Sequence, residues 1–398
     1  MVVIVSALRT PIGKYGGAIS NVLPEELASI LLQNTLSYTG MDPKLVDETI
    51  IGHTKQSAHT PNVARVAALK AGFPTSIPAY TVHRQCGSGM QAVYNSWMSI
   101  LTGQTETVLA GGVESMSQAP YYYVGNRFNS KPEHFTIYDS NLESQPKSQP
   151  EDIYGRFNMI ETAEHLASKY GISRYEQDEF ALNSQLKAKK AIETGRFGDE
   201  IVSIEVSTRK VQKALFSRDE HPRDTDLEKL AKLKPIIGED GTVTAGNASG
   251  LNDGAAMLMI MKEEKALSLG LKPLASIESF GVGGVHPKEM GLGPVPATKQ
   301  ALRNSGLEMK DIDIIELNEA FAAQSIAVLK EWGITPDDDR LNKNGGAIAL
   351  GHPLGSSGAR IIVTLVHEMI KSDLRYGLAT LCTAGGLGIS TVIKKWDT

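Results

Sequence analysis

The sequence predicts an α/β protein made of two similar halves related by a pseudo-twofold axis, with a separate region inserted into the first half. Three observations support this prediction. Segments near the two ends of the chain resemble each other, strand-like apolar runs alternate with helix-like periodicity, and the middle follows neither pattern. A chain of 398 residues is also too long for one simple core, so several structural units are expected.

The first pair of similar segments covers residues 35–52 and 301–318, which align at a constant offset of 266 residues. The segments "TLSYTGMDPKLVDETIIG" and "ALRNSGLEMKDIDIIELN" each read as the end of a helix, a turn and a buried strand. Equivalent positions hold similar residues: Gly40 and Gly306, Met41 and Leu307, Lys44 and Lys310, Val46 and Ile312, Asp47 and Asp313.

A second pair of similar segments begins at residues 86 and 354 with "CGSGMQAVYNSWMSILTG" and "LGSSGARIIVTLVHEMIKS". Both carry apolar residues at helical spacing: Met90, Val93, Trp97 and Ile100 in the first, Ala359, Ile362, Val366 and Met369 in the second. A strand with paired glycines follows each helix, at 107–117 and 378–390. This alternation predicts mostly parallel sheets covered by helices.

The region between the repeats has a different composition, with aromatic, polar and strongly charged runs between residues 120 and 246. It reads as loops and short helices, either a lid or interface region or a substrate-binding domain. We therefore divide the chain into an N-terminal half (1–119), an inserted loop domain (120–246), a return to the first half (247–271) and a C-terminal half (272–398).

Composition excludes several classes of protein. A net charge of −5 and a pI near 6 predict no nucleic-acid partner and no membrane surface. The apolar start "MVVIVSALRTP" reads as a first strand, and no apolar run approaches the ~20 residues that span a bilayer. Two cysteines do not make a disulfide framework, so we expect a reducing, cytoplasmic setting.

Cys86 is the first candidate for chemistry, because it stands before a Gly-Ser-Gly step at 87–89 where a helix is predicted to begin. The partial positive charge of a helix N-terminus favours the thiolate form, and small residues let an acyl group approach the backbone. Nearby backbone N–H groups can stabilise an oxyanion. The alternative is that Cys86 is a small buried apolar residue, as free cysteines usually are.

The second half supplies candidate partners for this thiol. His352 stands in a glycine-rich turn before the equivalent helix, and Cys382 ends the strand after it. If a twofold axis relates the halves, these junctions face each other and the three side chains converge. Asn318 and Glu319 end a repeat strand and can hold a water or a carbonyl oxygen. A zinc site is disfavoured, because the two cysteines lie 296 residues apart and no CxxC occurs.

Motifs of a known family run through the chain in one order. They are "SALRTPIGKYGG", "CGSGMQA", "GGVESMSQAP", "TAGNASGLNDGAA", "GLGPVPA", "NEAFAAQ", "GGAIALGHPLGSSGAR" and "CTAGGLG". In motif and spacing the chain resembles the thiolase family, and the resemblance covers essentially its whole length. It implies a thiolase fold of two βαβαβαββ halves with an inserted loop domain.

The resemblance also implies reversible Claisen condensation and thiolysis of acyl-CoA thioesters, with no metal and no redox cofactor. Acetyl-CoA, other acyl-CoA thioesters and CoA would be the substrates, and the protein would be a homodimer or homotetramer. The resemblance implies that Cys86 is the acylated nucleophile, that His352 takes its proton and that Cys382 moves the α-proton of the second thioester. It further implies that Asn318 holds an oxyanion-hole water, that Ser249 contacts the pantetheine of CoA and that Met159 lines the acyl pocket.

The residues and motifs leave four functions open. The leading interpretation is an acetyl-CoA C-acetyltransferase, and the main alternative is a degradative 3-ketoacyl-CoA thiolase of fatty-acid β-oxidation. A ketoacyl-synthase-like condensing enzyme would use Cys with two His, or with His and Asn. A non-catalytic CoA-binding protein would not need all three reactive side chains.

The sequence departs from the family pattern at four positions. His83 stands where the family usually has Asn, and Asn158 precedes Met159 where short-chain members often have His. Ile237 stands where an aromatic residue is common, and Ala384 replaces a usual Gly. Because Gly tolerates backbone angles that Ala resists, Ala384 puts the geometry of an oxyanion site in question. Asn158 and Ile237 do the same for acyl-chain preference.

Overall fold

The computed structural model describes residues 1–125, 135–206 and 213–397. Within these ranges the strands are β1 (Val2–Arg9), β2 (Gly13–Lys14), β3 (Glu48–Gly52), β4 (Ala79–Val82), β5 (Thr107–Ser115), β6 (Tyr121–Tyr123), β7 (Ile137–Asp139), β8 (Ile204–Val206), β9 (Ala214–Phe216), β10 (Asn252–Lys262), β11 (Ala275–Gly284), β12 (Ile314–Leu317), β13 (Tyr376–Thr383) and β14 (Leu387–Lys395).

The α-helices of the same ranges are α1 (Pro24–Thr39), α2 (Val63–Lys70), α3 (Ser88–Leu101), α4 (Ser140–Glu143), α5 (Glu151–Tyr154), α6 (Met159–Tyr170), α7 (Arg174–Glu193), α8 (Leu227–Ala231), α9 (Glu263–Ser268), α10 (Pro294–Ser305), α11 (Ala322–Trp332), α12 (Ala347–Leu350) and α13 (Leu354–Lys371). Short 3₁₀ helices occur at Pro43–Leu45, Met116–Gln118, Pro146–Ser148, Pro287–Leu292 and Met309–Asp311.

One large sheet organises both halves. Its order is β12-β13-β14-β11-β1-β10-β5-β3-β4, and β2 pairs with β10 beside this path. The halves meet where β1 pairs with β11, and on either side of this junction the order is the same: β1, β10, β5, β3 matches β11, β14, β13, β12. Both members of the repeat predicted at 35–52 and 301–318 contain the equivalent strands, β3 and β12. The predicted pseudo-twofold relation is therefore confirmed.

The expectation of mostly parallel sheets is wrong. Within the described residues, the large sheet has three parallel strand pairs, β3–β4, β3–β5 and β12–β13. Its other pairs are antiparallel: β1–β10, β1–β11, β2–β10, β5–β10, β11–β14 and β13–β14. The connection between β13 and β14 is a three-residue turn at 384–386, which is too short for the crossover that parallel strands need. The sheet is consequently mixed.

Two central helices, α3 and α13, pack against each other and against strands of both halves. Every residue from Leu354 to Met369 in α13 is buried, as expected for a helix covered on all sides. The two helix starts approach closely because both carry glycine: a Cβ on Gly89 would lie 2.8 Å from the carbonyl oxygen of Gly355. This approach brings the segments before the two helices together.

Outer helices complete the layers. In the first half, helix α1 covers β1, β5 and β10, and α2 packs against α1 and covers β3 and β4. In the second half, α10 covers β11 and β14. Helices α6 and α7 of the predicted inserted region pack against α11. The domain boundaries given above stay predictions, and residues 126–134 and 207–212 of that region lie outside the described ranges.

Candidate active site

Cys86 lies in a tight turn between β4 and α3. Gln85, directly before it, has a φ of +46°, a left-handed conformation that costs free energy for a residue with a Cβ. Ser88 holds the turn: its Oγ accepts the Arg84 N–H at 2.8 Å and donates to the Gln85 carbonyl at 2.6 Å. The turn therefore fixes Cys86 two residues before the first residue of α3, as the sequence predicted.

His352 lies between α12 and α13, and its imidazole is held in one tautomer. Its Nδ1 is 2.6 Å from the Ser357 Oγ, and that hydroxyl donates to the Pro353 carbonyl at 2.9 Å. Because the hydroxyl proton is used there, Ser357 accepts from Nδ1–H, which leaves the His352 Nε2 as a proton acceptor. The His352 N–H donates to Asn252 Oδ1 at 2.9 Å, which fixes the backbone of the turn.

Cys382 and Asn318 come from neighbouring parallel strands of the second half. Cys382 lies near the end of β13 and is buried. Asn318 follows β12, and its N–H donates to the Thr380 carbonyl at 3.0 Å. Its Nδ2 lies 3.5 Å from the His352 Nε2, and its Oδ1 has no hydrogen-bond partner within residues 1–125, 135–206 and 213–397. In proteins, a buried oxygen without a partner of this kind commonly accepts a hydrogen bond from an ordered water.

A cavity of about 750 Å³ joins these groups. Cys86, His352 and Cys382 all line it, although they come from segments far apart in the sequence. Ser249 and Met159 line it as well. Asn318 lies behind His352 rather than on the wall, so the structure brings the six predicted residues into one region with five of them facing the same space.

The electrostatics of the thiols differ from the expectation of a bias toward thiolate. Burial raises the pKa of Cys86 to about 11, although the N–H groups of Ala384 and of Cys86 itself lower it. Burial also raises the pKa of Cys382, and the neighbouring Cys86 raises it further. Desolvation outweighs the effect of the helix terminus, because the Cys86 side chain is buried. Both side chains therefore rest as neutral thiols.

Burial has the opposite effect on the pKa of His352, which it lowers. Burial lowers its pKa to about 3, and the nearby Arg360 lowers it further. The imidazole is therefore neutral at physiological pH and keeps Nε2 free to accept a proton. A neutral thiol and a neutral base share one cavity, so charge separates between them only when a proton moves.

Two of the four departures from the family pattern, Ala384 and Asn158, line the cavity. Ala384 needs no left-handed backbone, because the positive φ angles of its turn fall on Gly385 (+88°) and Gly386 (+80°). Its N–H reaches the sulfur of Cys86, so the alanine leaves this donor in place. Asn158 lines the cavity while its Oδ1 accepts the Glu161 N–H at 3.0 Å and caps α6.

The other two departures lie away from the cavity wall. His83 is exposed and Ile237 is half-buried, and among the described residues the lining includes Ile236 instead. Of these two neighbours, Ile236 rather than Ile237 is therefore placed to influence acyl-chain preference.

Sequence reasoning missed several residues that shape the site. Ser357 fixes the tautomer of His352, and its position five residues later at the start of a predicted helix was a usable signal. Asn252 holds the backbone of His352 across a distance of 100 residues, which no local pattern reveals. Lys55 is buried although its loop, "HTKQSAHT", reads as polar and exposed.

Family comparisons agree with this architecture. Residues 2–264 match the family described as "Thiolase, N-terminal domain", and residues 271–395 match "Thiolase, C-terminal domain". Together these matches span nearly the whole chain, and the chain therefore belongs to the thiolase family.

Individual relatives narrow the class of enzyme. The chain is 46% identical over 396 residues to a "Probable acetyl-CoA acyltransferase" of Staphylococcus aureus (strain COL), covering 99% of both chains. It matches the crystal structure of the Bacillus anthracis acetyl-CoA acetyltransferase with a TM-score of 0.94 and 48% identity, covering 99% of this chain and 98% of that one. Human mitochondrial 3-ketoacyl-CoA thiolase matches with a TM-score of 0.94 and 42% identity, covering 99% of each chain. The protein has the thiolase fold and is an acyltransferase.

Within 1–125, 135–206 and 213–397, no group of three or more His, Cys, Asp or Glu side chains is arranged to hold a metal ion. No α-helix in the same ranges is long and apolar enough to cross a membrane.

Buried neutral histidines make the fold sensitive to acid. The pKa of His352 is lowered to about 3 and that of His221 to about 4, mainly by burial, whereas an unfolded His titrates near ~6.5. Below about pH 6.5, the unfolded chain binds protons at these histidines, whereas the native state does not. The associated stability is therefore present above about pH 6.5 and is lost as pH falls toward 4. Each group should lower the free energy of unfolding by about 2 kcal/mol between about pH 7 and about pH 5.

Urea unfolding across this pH range checks the expectation. His221→Asn should remove the contribution of one such group, about 2 kcal/mol between about pH 7 and about pH 5, whereas the matched change at the exposed His59 should leave the pH dependence as in the parent protein. An equal slope in His221→Asn and the parent protein would contradict the assignment.

Proposed function

We propose that this thiolase is an acetyl-CoA C-acetyltransferase that acts through an acyl-cysteine on Cys86. The supporting observation is that Cys86, His352 and Cys382 line one cavity. A nucleophile, a neutral base and a second thiol are the groups that acylation followed by carbon–carbon bond formation requires.

In the first half-reaction, His352 Nε2 takes the proton of Cys86 and the sulfur attacks the thioester carbonyl of acetyl-CoA. The N–H groups of Cys86 and Ala384, which already reach the sulfur, are donors for the oxyanion. When the tetrahedral intermediate collapses, the carbon–sulfur bond to CoA breaks and His352 returns the proton to the departing thiolate. The product is acetyl-Cys86 and free CoA.

In the second half-reaction, Cys382 removes an α-proton from a second acetyl-CoA. The pKa of this thiol is raised, so Cys382 first gives its proton to His352 Nε2, and the resulting thiolate then takes the α-proton. His352 later gives its proton to the Cys86 thiolate that is released when the new carbon–carbon bond forms. His352 and a water held by Asn318 support the enolate oxygen. The enolate carbon attacks acetyl-Cys86, the acyl–sulfur bond breaks, and acetoacetyl-CoA leaves with Cys86 regenerated.

The remaining predicted residues hold the substrate. Ser249 lies on the wall with its Oγ donating to the Ala320 carbonyl at 3.0 Å, a position suited to contact with the pantetheine arm. Met159 supplies apolar surface for the acyl group. CoA and its thioesters are substrates in this proposal, and the chemistry draws on no resident cofactor. A homodimer or homotetramer and a cytoplasmic location stay predictions.

A second candidate, a degradative 3-ketoacyl-CoA thiolase, is favoured by the apolar side of the cavity. Phe157, Met159, Met290, Phe321 and Leu354 all line it. Such a lining accommodates acyl chains longer than acetyl, since each buried methylene contributes about 0.8 kcal/mol. The same catalytic residues serve thiolysis, because the reaction is the reverse of condensation.

A chain-length series separates the two candidates. Thiolysis of 3-ketoacyl-CoA substrates from C4 upward should be measured by loss of the ketoacyl absorbance, with kcat/KM compared at each length. An acetyltransferase should prefer acetoacetyl-CoA by about 10-fold or more over the next even-numbered substrate. A rising kcat/KM with chain length identifies the degradative enzyme, and no turnover of any substrate contradicts the proposed function.

A further inference from the structure

Lys55 is a buried lysine that hydrogen bonds connect to the turn of the proposed nucleophile. It lies three residues beyond the end of β3, and its side chain is only 4% exposed. Burying an ammonium group is costly unless its hydrogens are bonded. The contacts that offset this cost show what the residue holds.

Both acceptors of Lys55 belong to the α4 segment, which we define as residues 140–148. The Nζ donates to the Ser140 carbonyl at 2.7 Å and to the Ser144 Oγ at 2.6 Å, so it clasps both ends of α4. The Ser144 hydroxyl in turn donates to Gln145 Oε1 at 3.1 Å. Asn141, Leu142, Glu143, Gln145 and Pro146 from this segment line the cavity.

The same segment is tied to the turn of Cys86. Gln85 Nε2 donates to the Ser148 Oγ at 2.8 Å, and that hydroxyl donates to the Ser144 carbonyl at 3.1 Å. Lys55 and Gln85 therefore hold the segment from two sides, and Lys55 is connected through Ser144 and Ser148 to the residue directly before the thiol.

Within the described ranges, the Lys55 ammonium forms no close ion pair with a carboxylate. Glu114 is the buried carboxylate nearby, and it already accepts the N–H groups of Thr54 at 3.2 Å, Lys55 at 3.1 Å and Gly355 at 2.8 Å, together with the Thr54 hydroxyl. Glu114 thus has its own donors, and the Lys55 ammonium is directed to the α4 segment.

We propose that Lys55 is a positioning residue that clasps the α4 segment against the turn of Cys86, and that its ammonium group favours the negative charge that forms on the thiol during acyl transfer. The inference rests on the proposed role of Cys86 as the nucleophile. It assigns a buried side chain of the first half a place in substrate binding and in activation of the thiol.

The mutual effect of the two groups supports this geometry. Burial is the main cause of the lowered pKa of Lys55, and both Glu114 and Cys86 act against it. In the other direction, Lys55 lowers the pKa of Cys86, opposing the effect of burial on the thiol. A cation at this position favours the thiolate and the oxyanion that follows it.

The test measures alkylation of Cys86 by iodoacetamide from about pH 6 to about pH 10, read on the Cys86 peptide by mass spectrometry. Lys55→Gln keeps a donor but removes the charge. Because this pH range lies below the pKa of Cys86, the expected result is a rate of alkylation about tenfold slower at each pH, which corresponds to a pKa about one unit higher. Lys55→Met removes both charge and donors and should show the same shift.

Ser144→Ala separates the clasp from the charge. It removes one acceptor but leaves the ammonium, so the pH profile of alkylation should match that of the parent protein while the KM for acetyl-CoA rises about threefold or more. Lys70→Met is the matched control, because Lys70 is an exposed lysine that pairs with Glu26 on the surface. It should change neither measurement.

The outcomes distinguish the two proposals. Unchanged alkylation profiles in both Lys55 variants, or an unchanged KM in Ser144→Ala, would overturn the role of Lys55 while leaving the function intact. Wild-type protein in which Cys86 takes no acetyl group would instead contradict the proposed function. Urea unfolding of each variant establishes that it is folded, and Lys55→Gln carries the test if Lys55→Met does not fold.

Discussion

Cys86→Ser is expected to abolish acetyl transfer, with a loss on the order of 10⁴-fold or more in turnover. A serine hydroxyl is a far weaker acid than a thiol, and burial already raises the pKa of this site to about 11 for sulfur. The neutral His352 cannot deprotonate such a hydroxyl efficiently. Incubation with acetyl-CoA followed by intact mass measurement should show one added acetyl group on the parent protein and none on the variant.

Cys382→Ser is the matched control for this experiment, because Cys382 lines the same cavity and the substitution is the same. It should still take up one acetyl group. Acetylation of Cys86→Ser at the rate of the parent protein would show that the nucleophile lies elsewhere.

Cys382→Ala is expected to separate the two half-reactions. Acetyl-Cys86 should still form, because the base for that step is His352 with its free Nε2. Condensation should fall by about 10²-fold or more, the usual loss when a positioned acid–base group is removed. Exchange of the α-protons of acetyl-CoA with solvent deuterium, followed by NMR, should stop with it.

A smaller substitution on the same strand supplies the control. Thr380→Ser keeps the hydroxyl that forms a hydrogen bond with the Ser390 Oγ, so both half-reactions should continue. Normal condensation in Cys382→Ala would mean that Cys382 is a packing residue, and the assignment of the α-proton step would be wrong.

The order of elements is a property that the sequence determined by itself. Gly40 and Gly306 end the equivalent helices α1 and α10 in left-handed conformations, with φ of 66° and 71°. Such local signals are readable because they depend on backbone angles and on the spacing of apolar residues within one element. The repeat then indicated which distant junctions meet, and Cys86, His352 and Cys382 do line one cavity.

Only the tertiary structure decided the antiparallel pairing, the protonation of the site and the place of Lys55. The helix terminus near Cys86 predicted a thiolate, yet burial by segments from both halves raises the pKa of the thiol. The Nδ1–H tautomer of His352 depends on a hydroxyl that is itself committed to Pro353. Lys55 stands in a loop of polar residues and is buried because residues 140–148 fold over it. Desolvation and hydrogen bonding act between atoms that the chain brings together over long distances, and no local pattern of residues contains that information.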